Sequence, residues 1–293
     1  MKIKISSIIF LGIFICSCTD GQIALVDKEL EKAPRYEACF KDSLAMLQTR
    51  LEYSADPDLR WDTALNLYKA YSHYQLDTAL NYALSLEELA TGDPTRKVVA
   101  LACRAKAFHS LDRYTESIDA FESIDISEAD LSGEAGSIYY TAGVWAYKGA
   151  LRVFPSDSRF KKALFDAEEG LAGRGESDVE AVNQLYGQLC DDGLYDDALA
   201  LVARFRQRQL TLNEEARSCY WLSNIYKLKG DTDNEILFLA KSACADLRAA
   251  VKNYNSLYNL ALLLYERGDY ARAHRYMKKN LDAKIELCEK AEE

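Results

Sequence analysis

A chain of 293 residues with 49% hydrophobic and 28% charged side chains has the balance of a globular protein or of one long repeat array. Its 4 prolines and 14 glycines are too few for a fold built on many tight β-turns, and its wealth of Leu, Ala, Glu, Lys and Tyr favours helix. A formal charge of −10, with no clustered Arg/Lys face, excludes nucleic acid as an expected partner and weighs against electrostatic adhesion to anionic lipid.

The chain opens with MKIKISSIIFLGIFICSC. Lys2 and Lys4 form a positive start, and the apolar run that follows, about a dozen residues, is shorter than the roughly 20 a membrane-spanning helix needs. Its end, Ile15-Cys16-Ser17-Cys18, resembles a bacterial lipobox, with small Ser17 before the modified Cys. Residues 1–18 are therefore expected to be a lipoprotein signal peptide, Cys18 the lipidated residue, and 19–30 a flexible linker. An ordinary secretory signal with an incidental Cys18 is the plainer alternative, and it too takes the mature chain out of the cytoplasm. Thr19-Asp20-Gly21 lacks a strong acidic sorting tag, which favours a periplasm-facing anchor. No later stretch suits a membrane span; the best, 135–154, is broken by Lys148 and Arg152. Contact with the membrane is thus expected through the lipid anchor only.

From there the sequence repeats itself. A lone helix is expected around 35–53. A first hairpin over 61–86 carries Leu65, Tyr68, Ala79 and Ala83. Asp93-Pro94 then caps a helix with Leu101, Ala105 and Phe108, followed by a turn at Asp112-Arg113-Tyr114 and a partner helix with Ile118 and Phe121. Arg104 stands where the repeat expects Leu. The stretch 138–171 has Tyr140, Ala142, Trp145, Ala163 and Ala167, its connection lengthened by Phe154-Pro155-Ser156-Asp157. Next come 182–202, with Leu185, Leu189, Gly193, Ala198 and Val202, and 220–243, with Leu222, Ser223, Tyr226, Gly230 and Ile236. The last hairpin, 256–281, has Leu260, Ala261 and Leu264, then Gly268-Asp269-Tyr270, then Ala273, Met277 and Leu281.

The small residue that lets the two helices of a hairpin cross closely recurs as Ala198, Glu235 and Ala273, at intervals of 37 and 38. That is near the tetratricopeptide period of about 34. Glu235 is the departure, expected to loosen or expose its crossing. The fold class expected is all-α: a right-handed superhelical solenoid of five to six tetratricopeptide-like hairpins over 31–293. No hairpin of such a stack can bury its apolar face alone, so each depends on its neighbours.

The stretch 220–281, together with DSLAMLQTRLEY and YKAYSHYQLDTALNYALSLEELA nearer the start, resembles a Bacteroidetes family of tetratricopeptide-bearing envelope proteins of unknown function. The resemblance covers most of the mature chain. Longer members continue into a transmembrane helix and a cytoplasmic regulatory part; this sequence stops at Glu293, directly after the repeats, and so looks like a short form. What the resemblance implies is a sensing or scaffolding role in the envelope, without catalytic residues.

Tetratricopeptide arrays hold extended peptides on the surface made by the first helix of each pair. By register that surface carries Asn183, Asp191, Tyr220, Asn224, Lys227, Tyr258, Tyr265 and Glu266. Tyr rings beside amides suit a protein or peptide partner from the envelope, because a rigid ring adds contact area at low entropy cost. The alternatives are a glycan or other nutrient stacked on the same rings, or ordinary solvated positions. A carboxylate clamp needs Lys and Asn one turn apart, but the places hold Asn183/Gly187, Tyr220/Asn224 and Tyr258/Leu262.

Catalysis is not expected, since no nucleophile-elbow, phosphate-loop or zinc-protease motif is present. The pairs Glu87-Glu88, Glu168-Glu169 and Asp191-Asp192 read as solvated charge, not as hydrolytic carboxylates. His73, His109 and His274 are far apart, so neither a metal nor another cofactor is expected. Cys39, Cys103, Cys190, Cys219, Cys244 and Cys288 lack close spacing and are expected as buried free thiols.

Overall fold

The computed structural model describes the backbone of residues 4–288 and the side chains of residues 20–288. Cys18 and the expected signal peptide lie outside the described side chains. Among the described residues there are thirteen α-helices and no strand. A long first helix, α1 (Lys4–Tyr53), precedes six hairpins. These pair α2 (Pro57–Tyr71) with α3 (Leu76–Leu89), α4 (Pro94–Ser110) with α5 (Tyr114–Glu122), and α6 (Gly133–Val153) with α7 (Ser158–Ala172). The pairing continues with α8 (Val179–Asp191) and α9 (Tyr195–Phe205), α10 (Leu212–Leu228) and α11 (Thr232–Arg248), and α12 (Asn255–Glu266) and α13 (Tyr270–Cys288).

Local chemistry sets where these helices start and stop. Pro57 and Pro94 open α2 and α4, and the caps Asp56 and Asp93 accept backbone N–H bonds from Asp58 at 2.9 Å and Arg96 at 3.0 Å. Thr211 and Glu214 satisfy each other's backbone N–H at the start of α10. Four of the six turns within hairpins share one geometry. Gly193, Gly230 and Gly268 have φ of 74°, 73° and 85°, a left-handed conformation costly for any residue with a Cβ. Each donates to the carbonyl three residues back, and the following residue donates to the carbonyl five back. Asp112 makes the same turn between α4 and α5 at φ 57° without being glycine.

The chain divides into two compact units. One contains Lys41–Leu185 and the chain from Ile285. Its centre is alanine-rich: Ala102 and Ala105 of α4, Ala120 of α5 and Ala142, Ala146 and Ala150 of α6 let these helices approach, while Ile118, Phe121 and Phe160 fill between them. Gly143 extends the principle, because a Cβ there would sit 2.7 Å from the Phe121 ring. The Tyr68 hydroxyl, buried, donates to the Cys103 carbonyl at 3.0 Å and ties α2 to α4. Arg104, at its unusual position, is half-buried and paired with Glu87 at 2.8 Å.

The other unit contains Tyr186–Lys284 and the first helix through Phe40. Here the sequence expectation fails in an informative way. Residues 20–30, expected to be a flexible linker, are helical, and Ile23, Val26 and Ala33 lie in the same buried cluster as Leu257, Leu260 and Tyr276. With half-buried Leu30 they recur at i, i+3, i+7 and i+10, one face of a helix. Acids flank that face and meet bases on the C-terminal helices. Asp27 pairs with Arg272 at 2.9 Å and with Arg275, and accepts the Tyr276 hydroxyl. Glu29, only 3% exposed, accepts from Tyr36 at 2.6 Å, Lys32 at 3.2 Å and Arg248 at 3.3 Å. Glu37 sits 2.8 Å from Lys279 and 3.3 Å from Lys252. Residues 23–37 of α1 thus form a structural helix of the C-terminal hairpins.

Candidate functional site

In the unit that contains Tyr186–Lys284, the first helices of successive hairpins are linked by side chains on one face. Tyr186 stacks on Trp221 with ring centres 5.7 Å apart, and Asn224 hydrogen-bonds the Tyr186 hydroxyl. Burial pushes that hydroxyl up to about 12. One repeat on, Asn259 Nδ2 donates to the Tyr220 hydroxyl at 3.2 Å. Tyr258, beside Asn259, has the Lys284 ammonium 5.9 Å from its ring centre, and Tyr265 meets Tyr270 edge to face at 5.1 Å. The result is a ladder from α8 through α10 to α12 that holds rings at fixed angles.

The same two first helices, α10 and α12, also carry exposed apolar side chains. Leu228 is 51% exposed, Tyr258 40%, Leu262 37% and Tyr265 58%. On α12 the three fall at i, i+4 and i+7, so they line one stripe of the helix. Scattered exposed apolar residues need no explanation, but a stripe on ordered helices does.

The expected site residues divide accordingly. Tyr220, Asn224 and Tyr258 fall on or beside the ladder. Tyr265 belongs to the exposed stripe. Lys227 and Glu266, both exposed, converge electrostatically on Glu235 of α11. Asp191 is exposed at the end of α8, and Asn183, half-buried, belongs to the other unit. Glu235 does not open its crossing as expected: it is buried. Burial raises its carboxyl above the ordinary range; Glu266 adds to the rise and Lys227 opposes it. Sequence reasoning missed Tyr186, Trp221 and Asn259. Trp221 and Asn259 each follow directly after a selected Tyr, one position round towards the neighbouring first helix.

Other candidate chemistry is absorbed by the fold. Glu87 pairs with Arg104, and Glu168 with Lys148 at 3.0 Å. Burial holds the Cys103 and Cys244 thiols up at about 12, far from the range of a reactive thiolate. The expectation of six buried cysteines holds for Cys103, Cys219 and Cys244, whereas Cys190 is half-buried and Cys39 and Cys288 are exposed. Among the described residues no three His, Cys, Asp or Glu side chains are placed to hold a metal, and no helix is long and apolar enough to cross a membrane.

Compared with known families, residues 30–286 match the model described as the SusR N-terminal TPR domain. Neither curated proteins nor solved structures gave a match.

Proposed function

Because the chain belongs to the family of the SusR N-terminal TPR domain, we propose that it is an envelope scaffold or sensor that holds a protein or peptide partner on the first-helix face of its C-terminal hairpins. Tetratricopeptide domains are protein-interaction scaffolds, and that much comes with the family. The finer reading adds lipid anchoring through Cys18, a periplasm-facing position and a part in signalling or regulation.

One observation carries the choice of face: Leu228, Tyr258, Leu262 and Tyr265 are exposed apolar side chains beside a ladder that fixes their helices. Rings and branched chains already held in place lose little entropy on binding. A glycan ligand would use the Tyr rings but gain little from Leu228 and Leu262, which offer no flat face to a sugar. The aliphatic members favour a peptide.

The test is chemical cross-linking in solubilised envelope with a soluble chain starting at Asp20, which keeps the buried Ile23, Val26, Glu29 and Ala33 of α1. We expect a defined partner to be captured, and to be lost with Leu262→Ser and Tyr258→Ala while a glycan array stays blank. Capture unaffected by both substitutions would reject this face. Mass spectrometry of the mature N-terminus addresses the anchor separately: an unacylated Cys18 would reject it.

A further inference from the structure

His109 lies in the last turn of α4, in the unit that contains Lys41–Leu185, and its ring is wedged against α5 and α6. The ring centre is 5.3 Å from that of Tyr114 at the start of α5 and 5.1 Å from that of Trp145 on α6. The wedge exists because residue 149 of α6 is glycine: a Cβ there would come 2.7 Å from the Tyr114 ring and 2.9 Å from His109 Nδ1. Nδ1 is buried, and among the described residues it has no hydrogen-bond partner. A bare acceptor nitrogen costs less in that place than a buried N–H⁺ would. The end of a helix by itself welcomes a cation, so what keeps this ring neutral is its enclosure.

The charged groups around it are already committed. Arg152 of α6 donates to the Tyr114 hydroxyl, which donates in turn to Asp112. Lys148 of α6, 6.0 Å from the Trp145 ring centre, is paired with Glu168 at 3.0 Å. Arg113 lies over Phe108 and pairs with Glu116 at 3.0 Å. Burial holds the imidazole below its ordinary 6.5; Arg152 and Lys106 add to the fall, while Asp112 and the Trp145 carbonyl oppose it. Asp112 also holds the turn at φ 57°, a conformation that a residue with a Cβ adopts at a cost.

We propose that His109 is an acid-sensitive latch, whose neutral ring holds the α4–α5 turn against α6 and whose protonation expels the ring from the cleft at Gly149 and frees the turn. The step takes one proton from solvent onto Nδ1 and leaves an imidazolium beside Arg152. A released ring binds that proton at the ordinary value, whereas the wedged ring resists it. The latch is therefore fully closed above about pH 6.5 and loosens as pH falls below that value. Release uncovers the ring faces of Tyr114 and Trp145 that His109 covers. The latch belongs to the unit other than the one that carries the proposed partner face, and it does not rest on that reading.

The experiment is amide hydrogen exchange on the soluble chain from Asp20 at about pH 7.5 and about pH 5, corrected for the intrinsic effect of pH, with an NMR titration of the His109 ring. We expect 109–114 and 145–153 to lose at least about tenfold in protection at the acid pH, while the buried run 98–103 stays within about twofold. His109→Phe keeps an uncharged ring in the cleft and should abolish the loss. Arg152→Gln removes a like charge and should move the titration midpoint up towards 6.5. Equal protection of the wild type at both pH values, the same acid loss in His109→Phe, or a wild-type midpoint at or above 6.5 overturns the latch. Should His109→Phe fail to fold, the wild-type exchange and the titration decide between the same two results.

Discussion

Asp27 accepts the hydroxyl hydrogen of Tyr276 at 2.5 Å, across 249 positions of sequence. The same carboxylate pairs with Arg272 and Arg275, so one acid from α1 bridges two bases of the last helix. Asp27→Ala leaves all three donors without it and should cost about 2–4 kcal/mol, whereas Tyr276→Phe removes one hydrogen bond and should cost about 1 kcal/mol. Urea denaturation reads both. Amide exchange over 23–33 should accelerate in Asp27→Ala, and an unchanged midpoint would mean that α1 contributes nothing to that unit.

Two acids give stability opposite dependences on pH. Hydrogen bonding from Arg248, with Tyr36 and Lys32 helping against burial, holds Glu29 down to about 2 from an ordinary 4.5. A depressed acid stabilises above its unfolded value, so this contribution is complete above about pH 4.5 and fades as pH falls towards 2. Asp246 behaves in reverse. Burial of its carboxyl pushes it up to about 8 from 3.8, opposed by a hydrogen bond from Ser256. The folded chain then keeps a proton that the unfolded chain has released, and stability declines as pH climbs from about 4 to about 8. Melting temperatures between pH 3 and pH 9 should show Asp246→Asn flattening the alkaline decline and Glu29→Gln flattening the acid one. Parallel curves for wild type and Asp246→Asn would show that Asp246 is ionised throughout.

Leu260 is fully buried among residues of α1, α11 and α13. Leu260→Asp places a charge where no partner exists and should cost more than about 4 kcal/mol, enough to melt the C-terminal hairpins. Circular dichroism at increasing temperature measures it. A mutant that unfolds with wild type would invalidate the repeat register on which the first-helix face is defined.

The punctuation of the hairpins was legible because it is local. Gly230 and Gly268 announce left-handed turns, Asp93-Pro94 a capped start, and the small residues at 198 and 273 a close crossing. What escaped is chemistry between distant segments. Ile23, Val26, Leu30 and Ala33 carry a helical period, but they follow directly on the expected export signal, and nothing local says that Arg272 and Arg275 await Asp27, or Arg248 Glu29. Glu235 stands out in the sequence as an irregularity, and a polar residue at a crossing suggests exposure, whereas the neighbouring helices enclose it. On the candidate face, register located Tyr220, Asn224 and Tyr258, while the cross-repeat partners Trp221 and Asn259 depend on how adjacent first helices are rotated.

The dependence of one unit on residues 20–37 also constrains how the protein comes into being. Its earliest helix leaves the ribosome, and any translocation channel, before residues 248–283 that complete its burial exist. Until then Ile23 and Val26 have nowhere apolar to go. Loop closure over more than 200 residues is slow relative to helix formation, so assembly of this unit should be the late kinetic phase, with an interval in which an amphipathic, acid-flanked helix is open to capture by a chaperone or a second nascent chain.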